Sequence, residues 1–216
     1  MSLALCHIFV YICDNMNFQI HTEIERKLAK SNKGQLFFLS DFRGIGSDIA
    51  IRKALSRLTK EGKVKRIAHG IYYIPMTDDV LGELKPSIEK IAEAIAKKEH
   101  VRIKPTGAYA MNKLGLSMQV PMRYIYLTDG APKTIKIGKT EIKFKSTTSK
   151  RLAMKGKISA MVILALDEMD LKNIDYTMKE KLKDLLKKED RKKLISDIKL
   201  APAEISDFLF KLLKEI

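Results

Sequence analysis

The sequence predicts an α+β fold, with helices and a β-hairpin first, a small α/β region next and a helical region last. Three observations carry that reading. Apolar residues recur at helical spacing in residues 19–30 and 47–60. β-Branched and aromatic residues flank His69-Gly70, and strict alternation flanks Gly138-Lys139. From about Thr148 the pattern is helical to the end. The chain has 216 residues, 45% of them apolar, enough for a real core in one large domain or two small ones. That excludes a disordered chain.

Residues 19–30, "QIHTEIERKLAK", place Ile20, Ile24 and Leu28 on one side of an amphipathic helix. "LFFLSDF" enters a short helix with Ser40 as its N-cap, and "RGIG" is a turn. Ser47 caps the next helix, in which Ile51, Leu55 and Leu58 form a buried stripe beside Ala54. Gly62 stops it. "KVKRIA" and "IYYIP" then form a hairpin turned at His69-Gly70. Tyr72 and Tyr73 face opposite ways, so one is expected in the core and the other at the surface. Helix, helix, helix, hairpin is the order of a winged helix-turn-helix, assigned to residues 17–76.

Residues 77–216 read as an α/β domain with a helical C-terminal tail. "GELKPSIEKIAEAIAKKEH" is a helix with Ile88, Ile91, Ala92 and Ile95 on one side, and "VRIKP" a short strand. Thr106 caps the short helix "GAYAMNKLG", ended by Gly115. "RYIYLT" is a strand and "TIKIGKTEIKFK" a hairpin. The tail reads as "SKRLAMKGK", "ISAMVILALDEM", one long helix "TMKEKLKDLLKKEDRKKLISDIKL", and "PAEISDFLFKLLKEI".

The net charge is +15, of which residues 17–76 carry +7, and such a field favours polyanions. At 100° per residue the helix from Ser47 to Lys60 turns Ile49, Lys53, Ser56, Arg57 and Lys60 outward, with Arg52 on the flank. In a helix-turn-helix this face enters the major groove of double-stranded operator DNA. Arg57 and Lys53 have the donors to read guanine edges, and Ile49 suits a thymine methyl. Ser40 and Ser47 suit phosphates at helix starts. On the wing, Lys63, Lys65, Arg66 and His69 suit the phosphate backbone or the minor groove.

Residues 1–16 are an apolar leader, too short to span a bilayer and lacking a basic n-region. Met16 is expected to be the native start. With no other hydrophobic span, the protein is expected in the cytoplasm, away from membranes. Cys6 and Cys13 match no metal or disulfide spacing, and His7, His21, His69 and His100 have no ligand-spaced neighbour. No cofactor is expected, and no Ser/His/Asp triad, phosphate-cradling glycine loop or zinc spacing is present. The strongest enzymatic alternative is a metal-dependent restriction-type nuclease. It would use Asp129 with the acid-x-lysine pair Glu141 and Lys143, provided both carboxylates reach one metal. A winged helix used only for protein contact is the other alternative.

The runs "ALSRLTKEGKVKRIAHGIYYIP", "LGELKPSIEKIAEAIAKKEHVRIKPTGAYAMNKLGLSMQVPMRYIYLTDG" and "IKIGKTEIKFK" resemble the AbiEi-like antitoxins of type IV toxin–antitoxin systems. The likeness is closer to their short relatives of uncharacterised function. It extends from Ile20 to the last helices, and "GAYAMNKLGLSMQVP" is its most specific part. The resemblance implies a winged helix that represses its own operon, and a following domain that counters a nucleotidyltransferase-like toxin encoded beside it. It implies no enzymatic activity. Within the motif, Thr106, Tyr109, Asn112 and Gln119 are the candidate polar partner surface, and the remaining residues read as scaffold.

Overall fold

The computed structural model describes residues 18–215. The leader and the start at Met16 lie outside them. The fold is mixed α and β with small sheets. The chain divides into two compact units, Met1–Ile91 and Ala92–Ile216.

In the first unit, helix α1 covers residues 18–29 and strand β1 Leu36–Phe38. Helix α2 runs Asp48–Lys60, followed by strands β2 (Lys65–Ala68) and β3 (Ile71–Tyr73). β3 pairs antiparallel with both neighbours in the order β1-β3-β2. Ile20, Ile24 and Leu28 of α1 meet Ile51, Leu55 and Leu58 of α2 in one core with Phe42, Val64 and Tyr72. The helical stripes read from the sequence are therefore the packed faces. Gly62, at φ +75°, takes the left-handed turn that ends α2.

Three local expectations are corrected here. "LSDF" is a single 3-10 turn, Leu39–Phe42, and Ser40 lies inside it rather than at its cap. The capping carboxylate is that of Asp41, which accepts from the Phe38 N–H at 2.8 Å. Tyr72 and Tyr73 are both buried, because Tyr73 is covered by a hairpin that the sequence pattern does not announce. That hairpin pairs β4 (Met76–Asp78) with β5 (Gly82–Leu84), where a helix was expected to begin. The Asp78 carboxylate closes its turn by accepting from the N–H groups of Val80 and Leu81, each at 2.9 Å. Pro86 disfavours helical backbone at Lys85, and helix α3 starts only at Ile88, running to Glu99.

The second unit holds a four-stranded sheet. Its strands are β6 (Ile103–Thr106), β7 (Arg123–Thr128), β8 (Lys133–Ile137) and β9 (Thr140–Ser146), in the order β6-β7-β9-β8. β7 and β9 are parallel, and the two outer pairs are antiparallel. Helix α4 (Gly107–Lys113) follows β6 directly. Thr106 stands at its N-cap position without capping it, since its hydroxyl donates instead to the Leu164 carbonyl at 3.0 Å. The short helix α5 (Ser149–Leu152) leads to α6 (Lys157–Leu166).

Helix α6 is the buried axis of this unit. Every residue from Ser159 to Leu166 except Met161 is buried. Its first N–H groups have no partner within the helix and are shut away from water. Two carboxylates from distant sequence satisfy that end. Asp197 is fully buried and accepts from Lys155 N and Gly156 N at 2.8 Å and from the Ser159 hydroxyl at 2.6 Å. Glu189 Oε2 accepts from Ile158 N at 2.7 Å and Ser159 N at 3.2 Å. Burial pushes the Glu189 carboxyl up, and these N–H groups outweigh it and hold it below the usual range.

This demand explains why the expected long helix is broken. α7 (Tyr176–Lys187) stops so that Glu189 can turn back to α6. Asp190 then caps α8 (Arg191–Ile198), accepting from Lys193 N at 2.9 Å. α9 (Ala203–Leu213) closes the core with Ile205, Leu209 and Leu212.

Replacing Asp197 by Ala orphans those three donors and is expected to cost ~3 kcal/mol. A Cβ at Gly156 would lie 2.0 Å from Ser159 Oγ, so Gly156→Ala is expected to destabilise as well. Urea denaturation measures both, and unchanged midpoints would refute the capping role.

Candidate nucleic-acid interface

The Ser47 hydroxyl accepts from Ala50 N at 3.3 Å and fixes where α2 starts. With Ile51, Ala54, Leu55 and Leu58 buried, the opposite face turns out Ile49, Arg52, Lys53, Ser56, Arg57 and Lys60, all exposed. Ile49 is 69% exposed, unusual for an isoleucine beside so many charges. None of these four cations makes an ion pair among the described residues. Their field is spent on nothing within the fold.

Two neighbouring features have no distinct signature in the sequence. Arg43 is exposed in the turn before α2. Arg26 of α1 and Lys30 just after it line a hollow with Ile45 of that same turn. Lys27, in the same hollow, is held by the Asp41 carbonyl and lies 5.5 Å from the Phe42 ring centroid. Their signal was charge on the polar face of α1, which is indistinguishable in sequence from a solvated helix surface.

The hairpin region departs from expectation. Lys63 is turned to Glu25 and to Glu61, the latter at 3.0 Å. His21 sits 3.3 Å from Glu61 in the same cluster. The Lys63 ammonium is raised above its ordinary range by Glu25 and then Glu61, while Glu61 is lowered chiefly by Lys63. Lys65 is paired with Glu83 of β5, whose carboxyl it lowers. These two lysines are paired within the unit rather than standing free. Arg66 and His69 remain at the exposed hairpin end, where Arg66 Nη2 lies 3.0 Å from His69 Nδ1. Arg66 Nε also donates to the Ala68 carbonyl at 3.3 Å.

In the second unit the polar partner surface is corrected. Thr106 is buried and bonded to α6, and Tyr109 is buried against the rings of Tyr124 and Tyr126. Asn112 Nδ2 donates to the carbonyls of Ser117 at 3.3 Å and Gln119 at 3.0 Å. Asn112 is thus a brace. The loop it braces exposes Gln119 together with Met118, Val120 and Met122, which are 95%, 74% and 67% exposed.

The nuclease constellation does not assemble. In the parallel pair, Arg123 stands opposite Glu141 and Thr128 opposite Ser146. Asp129 follows Thr128, so Glu141 and Asp129 lie at opposite strand ends, roughly 20 Å apart at ~3.3 Å per residue. Asp129 is engaged by Arg102, through its N–H at 2.7 Å and its Nε at 2.8 Å, which hold the carboxyl low. Glu141 is paired with Arg123 at 3.3 Å, and Lys143 stands beside Ile125 on the strand. Among the described residues no cluster of three or more His, Cys, Asp or Glu is placed to hold a metal ion. Nor, among them, is any helix long and apolar enough to cross a membrane.

A family model described as a family of unknown function, DUF6088, matches residues 23–194. The chain belongs to the DUF6088 family. The DUF6088 match starts within α1 and ends within α8, so it takes in the cationic face, the braced loop and Glu189, while Asp197 follows it. No curated protein matches the chain.

Burial, and then the bond to Glu83 at 2.7 Å, push the Tyr73 hydroxyl from 10.0 up to about 12. Folding favours its neutral form over the ionised one. Its contribution to stability is therefore complete below pH 10.0 and is lost as pH rises toward about 12. In an ultraviolet titration of the folded protein, Tyr73 is expected to ionise late. Tyr73→Phe should remove that step and Glu83→Gln should bring it to lower pH; a late step that survives Tyr73→Phe belongs to another residue.

Proposed function

We propose that this chain is a DNA-binding transcriptional regulator acting in the cytoplasm, and the antitoxin member of a type IV toxin–antitoxin pair. In this reading residues 17–76 work as a winged helix-turn-helix. α2 is the recognition helix, and β2 and β3 form the wing. The observation that carries the reading is the outer face of α2, where Arg52, Lys53, Arg57 and Lys60 stand exposed with Ile49 and make no ion pair among the described residues. Arg57 and Lys53 supply donors for guanine, and Ile49 supplies an apolar contact for a thymine methyl. Ser47 and the N–H groups at the start of α2 suit a phosphate. Arg43, Arg66 and His69 flank the duplex backbone.

The second unit, in this reading, engages the protein partner, a nucleotidyltransferase-like toxin. The braced loop supports that assignment. Asn112 holds the backbone while Met118, Val120 and Met122 stand in solvent, a pre-ordered apolar contact made of adaptable side chains. No catalytic step is assigned to this chain.

The test is a titration with DNA from the protein's own promoter and with random duplex, at two salt concentrations. Promoter-selective binding with a steep salt dependence is expected. A flat salt slope would favour a winged helix that binds protein. Arg57→Ala is expected to cost about 1–3 kcal/mol on the promoter and to relax preference at one base pair. Arg66→Ala should weaken all duplexes alike and reduce the salt slope by about 1. Lys65→Ala should do less than Arg66→Ala, because its ammonium is held by Glu83. Equal losses for the two would refute that distinction.

A further inference from the structure

A groove of about 580 Å³ lies between α7, α8 and α9 in the second unit. Its apolar lining is Leu186, Leu194, Ile195, Phe210 and Leu213. Leu186 and Leu194 are buried at its floor, and Phe210 is 36% exposed at its side. Phe210 lies away from the α9 stripe of Ile205, Leu209 and Leu212, which the unit's own core already uses.

The rim is cationic. Lys187, Arg191 and Lys214 line it. Arg191 and Lys214 make no ion pair among the described residues, and Lys187 reaches only Asp184, at 4.0 Å. The groove has one acid, Glu189, and its carboxylate is turned inward onto Ile158 N, Ser159 N and Asp190 N. The lining therefore keeps a net positive charge, three cations against one carboxylate.

The occupant's backbone is constrained too. Apart from Glu189 and Lys214, every lining residue sits inside a helix, so the groove presents no strand edge. An extended segment would find no ladder here and would bury its own N–H and C=O groups unpaired. A helix closes its own hydrogen bonds and needs only an apolar stripe.

We propose that this groove docks an acidic amphipathic helix of a partner protein, with its apolar stripe against Phe210 and Ile195 and its carboxylates at Lys187, Arg191 and Lys214. The assignment stands on the groove alone and does not require the DNA reading.

The probe is a short amphipathic peptide with leucines at helical spacing and glutamates flanking them, titrated against the full chain by fluorescence anisotropy. Controls are a composition-matched scramble and a version with lysine for glutamate. The protein carries +15, so any acidic peptide will have some affinity for it. The amphipathic acidic peptide should therefore bind at least about tenfold tighter than the scramble. Phe210→Glu, at a half-exposed site, should remove that advantage while thermal unfolding stays unchanged. Lys187→Glu combined with Arg191→Glu should reverse the preference toward the lysine peptide. Scramble and amphipathic peptide binding equally would overturn the proposal, as would indifference to Phe210→Glu. Dissociation of a parent dimer by Phe210→Glu would assign the groove to a second copy and overturn it too. Promoter binding, measured on the same preparations, reports separately on the first unit.

Discussion

The second unit depends on a carboxylate that no solvent reaches. Helix α6 is apolar on almost every side, which suits it to the centre of a fold and leaves its N-terminus a problem. Unpaired N–H groups in the interior cost more than most single contacts return. Asp197 and Glu189 meet that demand together, one from within α8 and one from the break before it. Gly156 lets them come close, since a side chain there would fill the space the oxygens occupy. The helical hairpin of α7 and α8 exists in its observed form because of this requirement. The groove that α9 completes beside it is a consequence.

The first unit solves a different problem with weaker forces. Its core is small and ordinary, built from two helical stripes, Phe37 of β1, Tyr72 of β3 and Phe42. Charge is distributed unevenly across its surface. Lysines near the hairpin are drawn to Glu25, Glu61 and Glu83, whereas the cations of α2 are left without partners. Exposed ion pairs of this kind contribute little to stability. Their main effect is on the field, which is quenched along Lys63 and Lys65 and stays strong along α2. An anionic ligand meets a ridge of positive potential rather than a uniformly basic surface.

Much of this was legible in the primary structure. Periodicity placed α1, α2, the body of α3 and the hairpins at Gly70 and Gly138, because amphipathic spacing directly records which face is buried. The outward face of α2 followed from the same geometry. Where the reading failed, the cause was a partner far away in sequence. The hydroxyl of Thr106 looked like a helix cap and is taken by Leu164. One of Tyr72 and Tyr73 was expected at the surface, yet both are buried, Tyr73 with its hydroxyl bonded to Glu83. Asn112 looked like a surface contact and is a brace for its own loop.

By itself, then, the sequence determined most of the elements, their buried faces and the excess of positive charge, all of which are properties of local spacing and composition. The tertiary structure decided which charges stay free. It also decided which polar side chains are consumed inside, and it separated Asp129 from Glu141 by setting β7 and β9 parallel. The physical reason is one of range. Helical and strand periodicity is written within a few residues, whereas a hydrogen bond or ion pair exists only when folding brings two distant donors and acceptors within about 3 Å.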